Sequence, residues 1–360
     1  MLKYNEVIKL KYVYCTLFDI NYIIKGIVML LSLIQCSQDL KIYVLALDEE
    51  TEKIIRDYQF DNIIVIKFSD FINSNSTLKN EKTKTEFCWS CSANLIRYVF
   101  DHYHEEYCTY IDADMYFYSD PSCLIDEMIE SKKCVQIMEH RFTLDRYGKN
   151  CLKNYGRFCV EFNTFSNEKE SVEVLEDWVK KVNQCCMETA DGTVFGDQKY
   201  LDDWPEQFDC VNICTNIFAG VAPWNVGQYC MVKQENNIPI IKRRSDKTLK
   251  PLIFYHFHGI EELENGVVDI AVHRVHWNVD CQLVDCIYNH YFNELKKVQE
   301  QLFQKYGKTI YIFKRRVHAQ KAFISELRER FSVHYFKNIF WNIEMRVKAI
   351  KAGKKDIYRI

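Results

Sequence analysis

The chain has 360 residues, of which 48% are hydrophobic and 27% are charged, and its formal net charge at pH 7 is −3. This composition predicts an ordinary globular protein with one large core or two small ones. Eleven Gly and five Pro are too few for long flexible linkers, and no stretch has the Ser, Gly and Pro bias of a disordered tail.

Sixteen Cys are scattered through the predicted strands and helices of a chain that is far longer than a disulfide-stapled secreted domain. We therefore expect reduced thiols and a cytoplasmic protein. The pairs Cys88/Cys91 and Cys185/Cys186 lack partners at zinc spacing, so structural zinc is the weaker interpretation. The first 15 residues do not resemble a secretory signal, and the apolar run 27–34 is too short to cross a bilayer.

Strands and helices alternate in the first part of the chain. The pattern predicts strands at 13–18, 42–47 and 63–68, with helices at 23–38 and 49–58. This order indicates a parallel α/β sheet, in which ligands bind beyond the carboxyl ends of the strands. Asp19, Tyr22 and Asp48 fall at these ends and are candidates for binding a nucleotide.

A polar loop is predicted at 69–86, followed by a helix at 90–103 that carries Arg97 among apolar residues. Because this helix leads into the strand that ends at Asp112, Arg97 could reach diphosphate oxygens as a fixed cation. An ion pair with Glu105 or with an Asp on the surface is an equal alternative.

Two carboxylates, Asp112 and Asp114, follow an apolar strand predicted at 107–111. They would be costly at the end of a buried strand unless a cation or hydrogen-bond donors met them. Such oxygen ligands suit Mg²⁺ or Mn²⁺, which take further ligands from a substrate's phosphates. A solvated loop is the alternative, but the apolar run 115–118 and the helix-start residues 119–121 favour a metal site and a diphosphate substrate.

A strand predicted at 252–259 carries His256 and His258 just before a Gly. Alternation places both side chains on one face of the strand, and neutral imidazole is a good ligand of Mn²⁺. Packing of both rings in the core is the alternative, but the position at a strand end favours a ligand.

Three further residues are candidates for binding a sugar. Asn163 lies inside an apolar strand predicted at 160–165, where its amide needs partners that a ligand or the neighbouring backbone could supply. Asp197 and Gln198 open a helix predicted at 198–203, where they could hold sugar hydroxyls or only cap the helix.

In this order, the motifs resemble those of glycosyltransferases of the GT-A fold, and most nearly the retaining group that includes glycogenin and bacterial lipooligosaccharide galactosyltransferases. The likeness covers about residues 10–260. It implies an α/β fold with a mixed, mainly parallel sheet flanked by helices. It also implies a nucleotide-diphosphate sugar as donor, most nearly a UDP-sugar, and Mn²⁺ or Mg²⁺ as cofactor.

The resemblance also assigns roles to single residues. Thr16, Asp19 and Tyr22 would cradle the base, Asp112, Asp114 and His256 would hold the metal without His258, and Asp197 and Gln198 would lie beside the donor sugar. Asn163 would face the acceptor, although Thr164 and Phe165 replace the small residue and Gly that usually follow it. The group's Lys-Pro-Trp after the His motif is absent, so a cation for the second phosphate must come from elsewhere.

The implied activity is that of a retaining hexosyltransferase that moves a sugar to a glycan or lipid-linked acceptor in surface polysaccharide synthesis. An inverting reaction would instead need a carboxylate base such as Asp197. A sugar-phosphate nucleotidyltransferase is a rival class, but it would show a Gly-rich loop where residues 16–26 contain a single Gly. A non-catalytic nucleotide-sugar or carbohydrate-binding module would not need metal ligands at three separate positions.

We predict a catalytic domain at 1–270 and a helical, basic C-terminal extension at 271–360. Residues 314–360 contain 13 Lys or Arg and four Asp or Glu, with aromatic residues among them. This composition predicts a helix on an anionic membrane surface, beside a lipid-linked acceptor. Packing of the aromatic side on the catalytic domain and binding of an acidic helix or nucleic acid are alternatives, and we expect no nucleic-acid partner.

Overall fold

The computed structural model describes residues 12–78, 82–189, 192–264, 267–270, 272, 278–313 and 357–359. Its strands are β1 (Tyr12–Phe18), β2 (Leu40–Ala46), β3 (Ile63–Lys67), β4 (Tyr107–Ile111), β5 (Met115–Phe117), β6 (Val135–Glu139), β7 (Phe158–Ser166), β8 (Val211–Ile213), β9 (Tyr229–Glu235), β10 (Ile238–Arg243), β11 (Lys250–Pro251), β12 (Phe254–His256), β13 (Glu261–Glu264), β14 (Val267–Asp269) and β15 (Ile357–Arg359). Its helices are α1 (Ile23–Cys36), α2 (Glu49–Asp57), α3 (Phe68–Ser74), α4 (Lys84–Tyr103), α5 (Ser122–Glu130), α6 (Arg146–Tyr155), α7 (Lys169–Gln184), α8 (Trp204–Gln207) and α9 (Cys281–Tyr306), with 3-10 turns at Lys199–Asp203 and Val226–Gln228.

The central sheet has seven strands in the described part of the chain, in the order β3-β2-β1-β4-β7-β6-β8. Strands β1, β2, β3 and β4 run parallel, and β8 runs parallel to β6. Strand β7 is antiparallel to both of its neighbours, β4 and β6. The predicted mixed, mainly parallel sheet is therefore confirmed.

Two hydrophobic cores cover the two faces of this sheet. Alternate residues of β1 and β2 belong to different cores, as expected for strands buried on both sides. Helix α1 fills the first core with residues such as Ile27 and Leu30. Helices α4 and α7 fill the second core with residues such as Val99 and Trp178. The polar loops at the carboxyl ends of β1, β2 and β4 therefore follow strands that are packed on both faces.

Helix α9 packs in the same core as α1. Its buried face includes Leu283, Ile287 and Leu295, and Asp280 caps its first turn by accepting from the backbone N–H of Leu283 at 3.1 Å. Gly307, with φ of +67°, ends the helix in the left-handed conformation that favours glycine. The division of the chain into domains at residue 270 stays a prediction, and α9 contributes apolar residues to the same core as α1.

The predicted membrane-binding helix at 314–360 lies outside the described residues, except for β15. Strand β15 pairs antiparallel with β14, and the buried Tyr358 donates a hydrogen bond to Asp285 Oδ1 at 2.6 Å. Among the described residues, no helix is both long enough and apolar enough to span a membrane.

The prediction of a loop at 69–86 was wrong at both ends. Helix α3 occupies its start, and α4 begins at Lys84, earlier than predicted. The reason is a capping box: the Thr83 hydroxyl accepts from the backbone N–H of Glu86, and the Glu86 carboxylate accepts from that of Thr83. The predicted strand 252–259 also shortens to three residues in β12, because its partner β5 has only three.

Candidate active site

Asp112 and Asp114 lie in the short connection between β4 and β5, at the carboxyl end of a central strand. Backbone hydrogen bonds fix both positions. The N–H of Asp112 donates to the carbonyl of Glu161 at 3.2 Å, and the N–H of Phe257 donates to the carbonyl of Asp114 at 2.8 Å. The two carboxylates are therefore positioned by β7 on one side and by the end of β12 on the other.

His256 is the residue that joins this pair from a distant part of the sequence. It is the last residue of β12, and antiparallel pairing with β5 places it opposite Met115. Its Nε2 atom lies 3.1 Å from Asp114 Oδ1 and 3.8 Å from Asp112 Oδ2, while only 6% of its side-chain surface is exposed. The three residues that the resemblance assigns to the metal thus come together in space.

The electrostatics of this cluster follow from burial and from its close charges. Burial raises the pKa of Asp112 to about 6, and the charges of Asp114 and Glu161 add to this rise while that of His256 opposes it. Burial also acts to raise the pKa of Asp114, but the charge and hydrogen bond of His256 hold it below its ordinary value. Two carboxylates at this separation from one imidazole form a site that favours a bound cation.

The donor atoms present fit a divalent metal ion. One ligand atom from each of Asp114, His256 and His258 lies within 4.8 Å of the others, and Asp112 flanks them. Carboxylate oxygens with imidazole nitrogen suit Mn²⁺ in particular. His258 lies at an exposed position, but desolvation by the surrounding protein and then the charge of His256 lower its pKa, which favours the neutral, ligating form of its ring. The positions of these atoms therefore allow His258 to be a metal ligand, whereas the resemblance to the GT-A glycosyltransferases assigns this role to His256 alone of the two histidines.

Of the residues expected at the base, Thr16 and Tyr22 remain candidates. Thr16 is wholly buried, and its hydroxyl has no hydrogen-bond partner among the described residues. Tyr22 directly precedes α1 and exposes 41% of its surface. The charge of Asp114, followed by desolvation and the charge of Asp112, raises the pKa of Tyr22.

Asp19 and Asp48 shape the same loop through local contacts. Asp19 accepts from the backbone N–H of Asn21 at 3.0 Å and pairs with Lys84. Asp48 caps α2 by accepting from Thr51 N at 2.7 Å, and its other oxygen accepts from Ile20 N at 2.8 Å. Both oxygens of Asp48 thus accept from the backbone and hold the loop that follows β1, and its contact with a nucleotide stays a prediction.

Asn163, Asp197 and Gln198 differ in how their side chains are used. Asn163 is wholly buried in β7, and neither atom of its amide has a hydrogen-bond partner among the described residues. Asp197 accepts from the Ser92 hydroxyl at 2.5 Å, and burial raises its pKa to about 7. Gln198 donates to the carbonyl of Tyr155 at 2.8 Å and does not cap the 3-10 turn that follows it.

Arg97 forms ion pairs with carboxylates that lie outside the cluster of Asp112, Asp114 and His256. Its guanidinium pairs with Asp101 at 2.9 Å, one turn further along α4, and also with Glu176 of α7. The alternative of an ion pair with a nearby Asp is therefore what the structure shows. The phosphate contact of Arg97 stays a prediction, and in this structure two carboxylates already match its charge.

Lys25 is a cation near the site that was not identified from the sequence. It lies in the first turn of α1, only 8% of its surface is exposed, and its Nζ is 4.5 Å from the ring centroid of Tyr22. After burial and His256, Lys25 is among the charges that act on the pKa of Asp114, and it lowers that pKa. A Lys inside an apolar helix gave no sequence signal, because only the fold brings it towards Asp114.

Comparison with known proteins supports the fold. No protein-family model matches the chain. Two uncharacterized proteins of Bacillus subtilis (strain 168) are similar in sequence: YfnD is 27% identical over 254 residues, covering 68% of this chain and 77% of YfnD, and YfnF is 26% identical over 252 residues, covering 68% and 80%.

The structure is similar to that of the galactosyltransferase LgtC solved with donor and acceptor sugar analogs. The match covers 81% of this chain and 99% of LgtC, with 14% sequence identity and a TM-score of 0.50. The chain has the GT-A fold. The predicted GT-A fold and the predicted likeness to a bacterial galactosyltransferase of this fold are therefore confirmed. A sequence identity of 14% supports the fold and leaves the activity to be tested.

Proposed function

We propose that the chain is a metal-dependent glycosyltransferase that moves a hexosyl group from a nucleotide-diphosphate sugar, with a UDP-sugar as the first candidate, to a glycan or lipid-linked acceptor. The observation that carries the proposal is the meeting of Asp112, Asp114 and His256 at the carboxyl edge of the sheet in a GT-A fold. Segments more than 140 residues apart supply this cluster, and ligands of such sheets bind at this edge.

The proposed metal ligands are Asp112, Asp114 and His256. When bound, Mn²⁺ or Mg²⁺ would stabilise the negative charge on the leaving diphosphate. Lys25 would supply the second cation, which the missing Lys-Pro-Trp motif leaves open, because it lies beside Tyr22 and its charge acts on Asp114. The nucleotide would lie across Thr16 and Tyr22, where a buried hydroxyl without a partner and a partly exposed ring are available.

The donor sugar would be held by Asp197 and Gln198, and Asn163 would face the acceptor. The buried amide of Asn163 has no partner among the described residues; a buried donor or acceptor left unsatisfied costs about 1–3 kcal/mol, and a hydroxyl of the acceptor would remove that cost. Asp197 is oriented by Ser92, and its pKa of about 7 allows it to donate or accept a proton near neutral pH. We propose retention of configuration, and inversion with Asp197 as the base is the alternative that the products distinguish.

Donor hydrolysis tests the proposal most directly. The protein is incubated with a panel of nucleotide sugars, and release of free nucleoside diphosphate is measured with Mn²⁺ and with EDTA. We expect release only with the metal, and loss of release in Asp114→Asn but not in the surface control Asp101→Asn. Formation of pyrophosphate from a nucleoside triphosphate and a sugar phosphate would instead identify a nucleotidyltransferase. NMR of the first-formed sugar product assigns its anomeric configuration.

A surface-polysaccharide role would follow from the acceptor. We propose a test of glycan and lipid-linked acceptors, in which transfer of labelled sugar to a lipid-linked glycan but not to water alone would support that role.

A further inference from the structure

Glu161 is a wholly buried carboxylate that connects two of the proposed metal ligands. Its Oε2 atom lies 2.7 Å from His256 Nδ1, and its backbone carbonyl accepts the N–H of Asp112 at 3.2 Å. The ring of His256 therefore has one nitrogen on Glu161 and the other on the side of Asp114. Among the described residues, Glu161 is the carboxylate that lies within hydrogen-bond distance of Nδ1.

Arg141 is a cation near the buried Glu161 carboxylate, whose Oε1 atom has no hydrogen-bond partner among the described residues. A Cβ atom built on Gly220 would lie 2.7 Å from Glu161 Oε1 and 2.8 Å from Arg141 Nη2, so the carboxylate and the guanidinium both border this glycine. The guanidinium is held by the carbonyls of Asn216 and Ala219. The fixed positive charge lowers the cost of keeping Glu161 ionised in the protein interior.

We infer that Glu161 is a positioning residue for the metal ligand His256, an inference that rests on the proposed metal-dependent function. The carboxylate accepts the Nδ1–H proton and thereby fixes the ring orientation. When a metal replaces the proton that Nε2 shares with Asp114, the ring is left in the tautomer whose Nε2 would ligate a metal held with Asp112 and Asp114. The carboxylate also makes the imidazole more basic and thus a better metal ligand. Glu161 itself does not touch the metal or the substrate in this arrangement.

The competing arrangement is a metal on the opposite side of the ring. Cys159, Glu161 and His256 are all buried and offer ligand atoms within 4.8 Å of one another. A metal held there would take Nδ1 of His256 and leave Nε2 with the proton. The two arrangements therefore differ in which ring nitrogen is protonated.

The first experiment measures Mn²⁺ binding without any donor sugar, by the electron paramagnetic resonance signal of free Mn²⁺. We expect Glu161→Gln, which keeps the shape and removes the charge, to weaken Mn²⁺ binding roughly 10- to 100-fold. Glu105→Gln is the matched control and should bind like wild type, because Glu105 is a half-buried, hydrogen-bonded carboxylate near the opposite end of β4. Thermal melting in EDTA checks that both variants fold.

Wild-type affinity in a folded Glu161→Gln would overturn the inference and leave the proposed function standing. Absence of Mn²⁺ binding in the wild type would overturn both. A loss of affinity equal to that in Glu105→Gln would also overturn the inference, because it would then be unspecific.

The second experiment needs no variant at residue 161. The wild-type protein, labelled with ¹⁵N at its histidines and saturated with diamagnetic Mg²⁺, is studied by long-range ¹H–¹⁵N NMR, and the resonance lost in His256→Asn assigns the ring. We expect a protonated Nδ1 and an unprotonated Nε2. The reverse tautomer would overturn the inference and would favour the site beside Cys159.

Discussion

Removal of the His256 ring should destabilise the metal-free protein through Glu161. His256 and Glu161 have 6% and 0% of their side-chain surface exposed, and their charged groups are 2.7 Å apart. In His256→Ala the Glu161 carboxylate loses this hydrogen bond while remaining buried. Breaking a buried pair by removal of one partner costs about 3–5 kcal/mol. We expect the lower end, about 3 kcal/mol, because Arg141 still lies near the carboxylate.

The assay is urea unfolding in EDTA and reductant, followed by tryptophan fluorescence and circular dichroism. In the double variant His256→Ala/Glu161→Gln, a neutral amide replaces the Glu161 carboxylate that has lost its partner, and an amide is less costly to bury. We expect the double variant to recover about 1–2 kcal/mol of the free energy of unfolding relative to His256→Ala. His258→Ala, at an exposed position, should change stability by about 0.5 kcal/mol or less.

Additivity is the result that refutes this reasoning. If the losses of the two single variants add within about 0.5 kcal/mol in the double variant, His256 and Glu161 do not interact energetically. A loss in His258→Ala as large as that in His256→Ala would show that the cost comes from packing near the site and not from the buried carboxylate.

Four further outcomes are expected. Asp114→Asn should abolish Mn²⁺-dependent donor turnover and keep the fold, because one anionic ligand is lost without a change in size; near wild-type turnover contradicts the metal assignment. His256→Ala should weaken Mn²⁺ binding in calorimetry much more than His258→Ala, and equal losses would show that both rings bind the metal. Lys25→Met should raise the donor KM roughly tenfold or more, since a hydrogen bond to a charged group contributes about 1.5–3 kcal/mol; an unchanged KM excludes a phosphate contact. Gly220→Ala should lower the melting temperature, because its Cβ would lie 2.7 Å from a buried carboxylate oxygen at a φ of +62°, and an unchanged melting temperature would mean that the carboxylate can move.

The strands of the sheet and the carboxylate pair could be predicted because each strand, and the pair itself, is recognisable from a short stretch of sequence. The apolar runs that became β1, β2 and β4 alternate with amphipathic helices, and Asp112 and Asp114 follow the last of these strands directly. His256 was predicted through the spacing of its motif, which the resemblance carried. In each case the relevant information lies within about ten residues, the range over which local pattern is informative.

Arg97 and Lys25 show where local pattern fails. Both are single cations among apolar residues of a helix, so their sequence contexts are similar. The difference lies in their neighbours in space: Glu176 of α7 meets Arg97, whereas Tyr22 and the charge of Asp114 act on Lys25. Such partners come from elements that the sequence alone did not bring together, so the proposal of Lys25 as the second cation depends on the fold.

Glu161 could not be identified from strand periodicity, because the side chains of β7 do not alternate regularly between the two faces of the sheet. Val160 and Phe162 are two residues apart, yet they belong to the cores on opposite faces of the sheet. The pairing with β4 is continuous, whereas the register against β6 shifts between Gln136 and Met138. Such irregularities are common beside active sites, where they redirect side chains.

This break explains how one strand serves two parts of the site. Asn163 pairs with Tyr110, whose ring lies in the second core, on the side of α4 and Asp197. Glu161 instead borders Gly220 and His256, next to residues of the first core. A regular strand would have sent both side chains to the same face. The irregular register of β7 therefore lets Glu161 reach the proposed metal ligand His256 on one side of the sheet, while Asn163 lies on the side of the proposed sugar site.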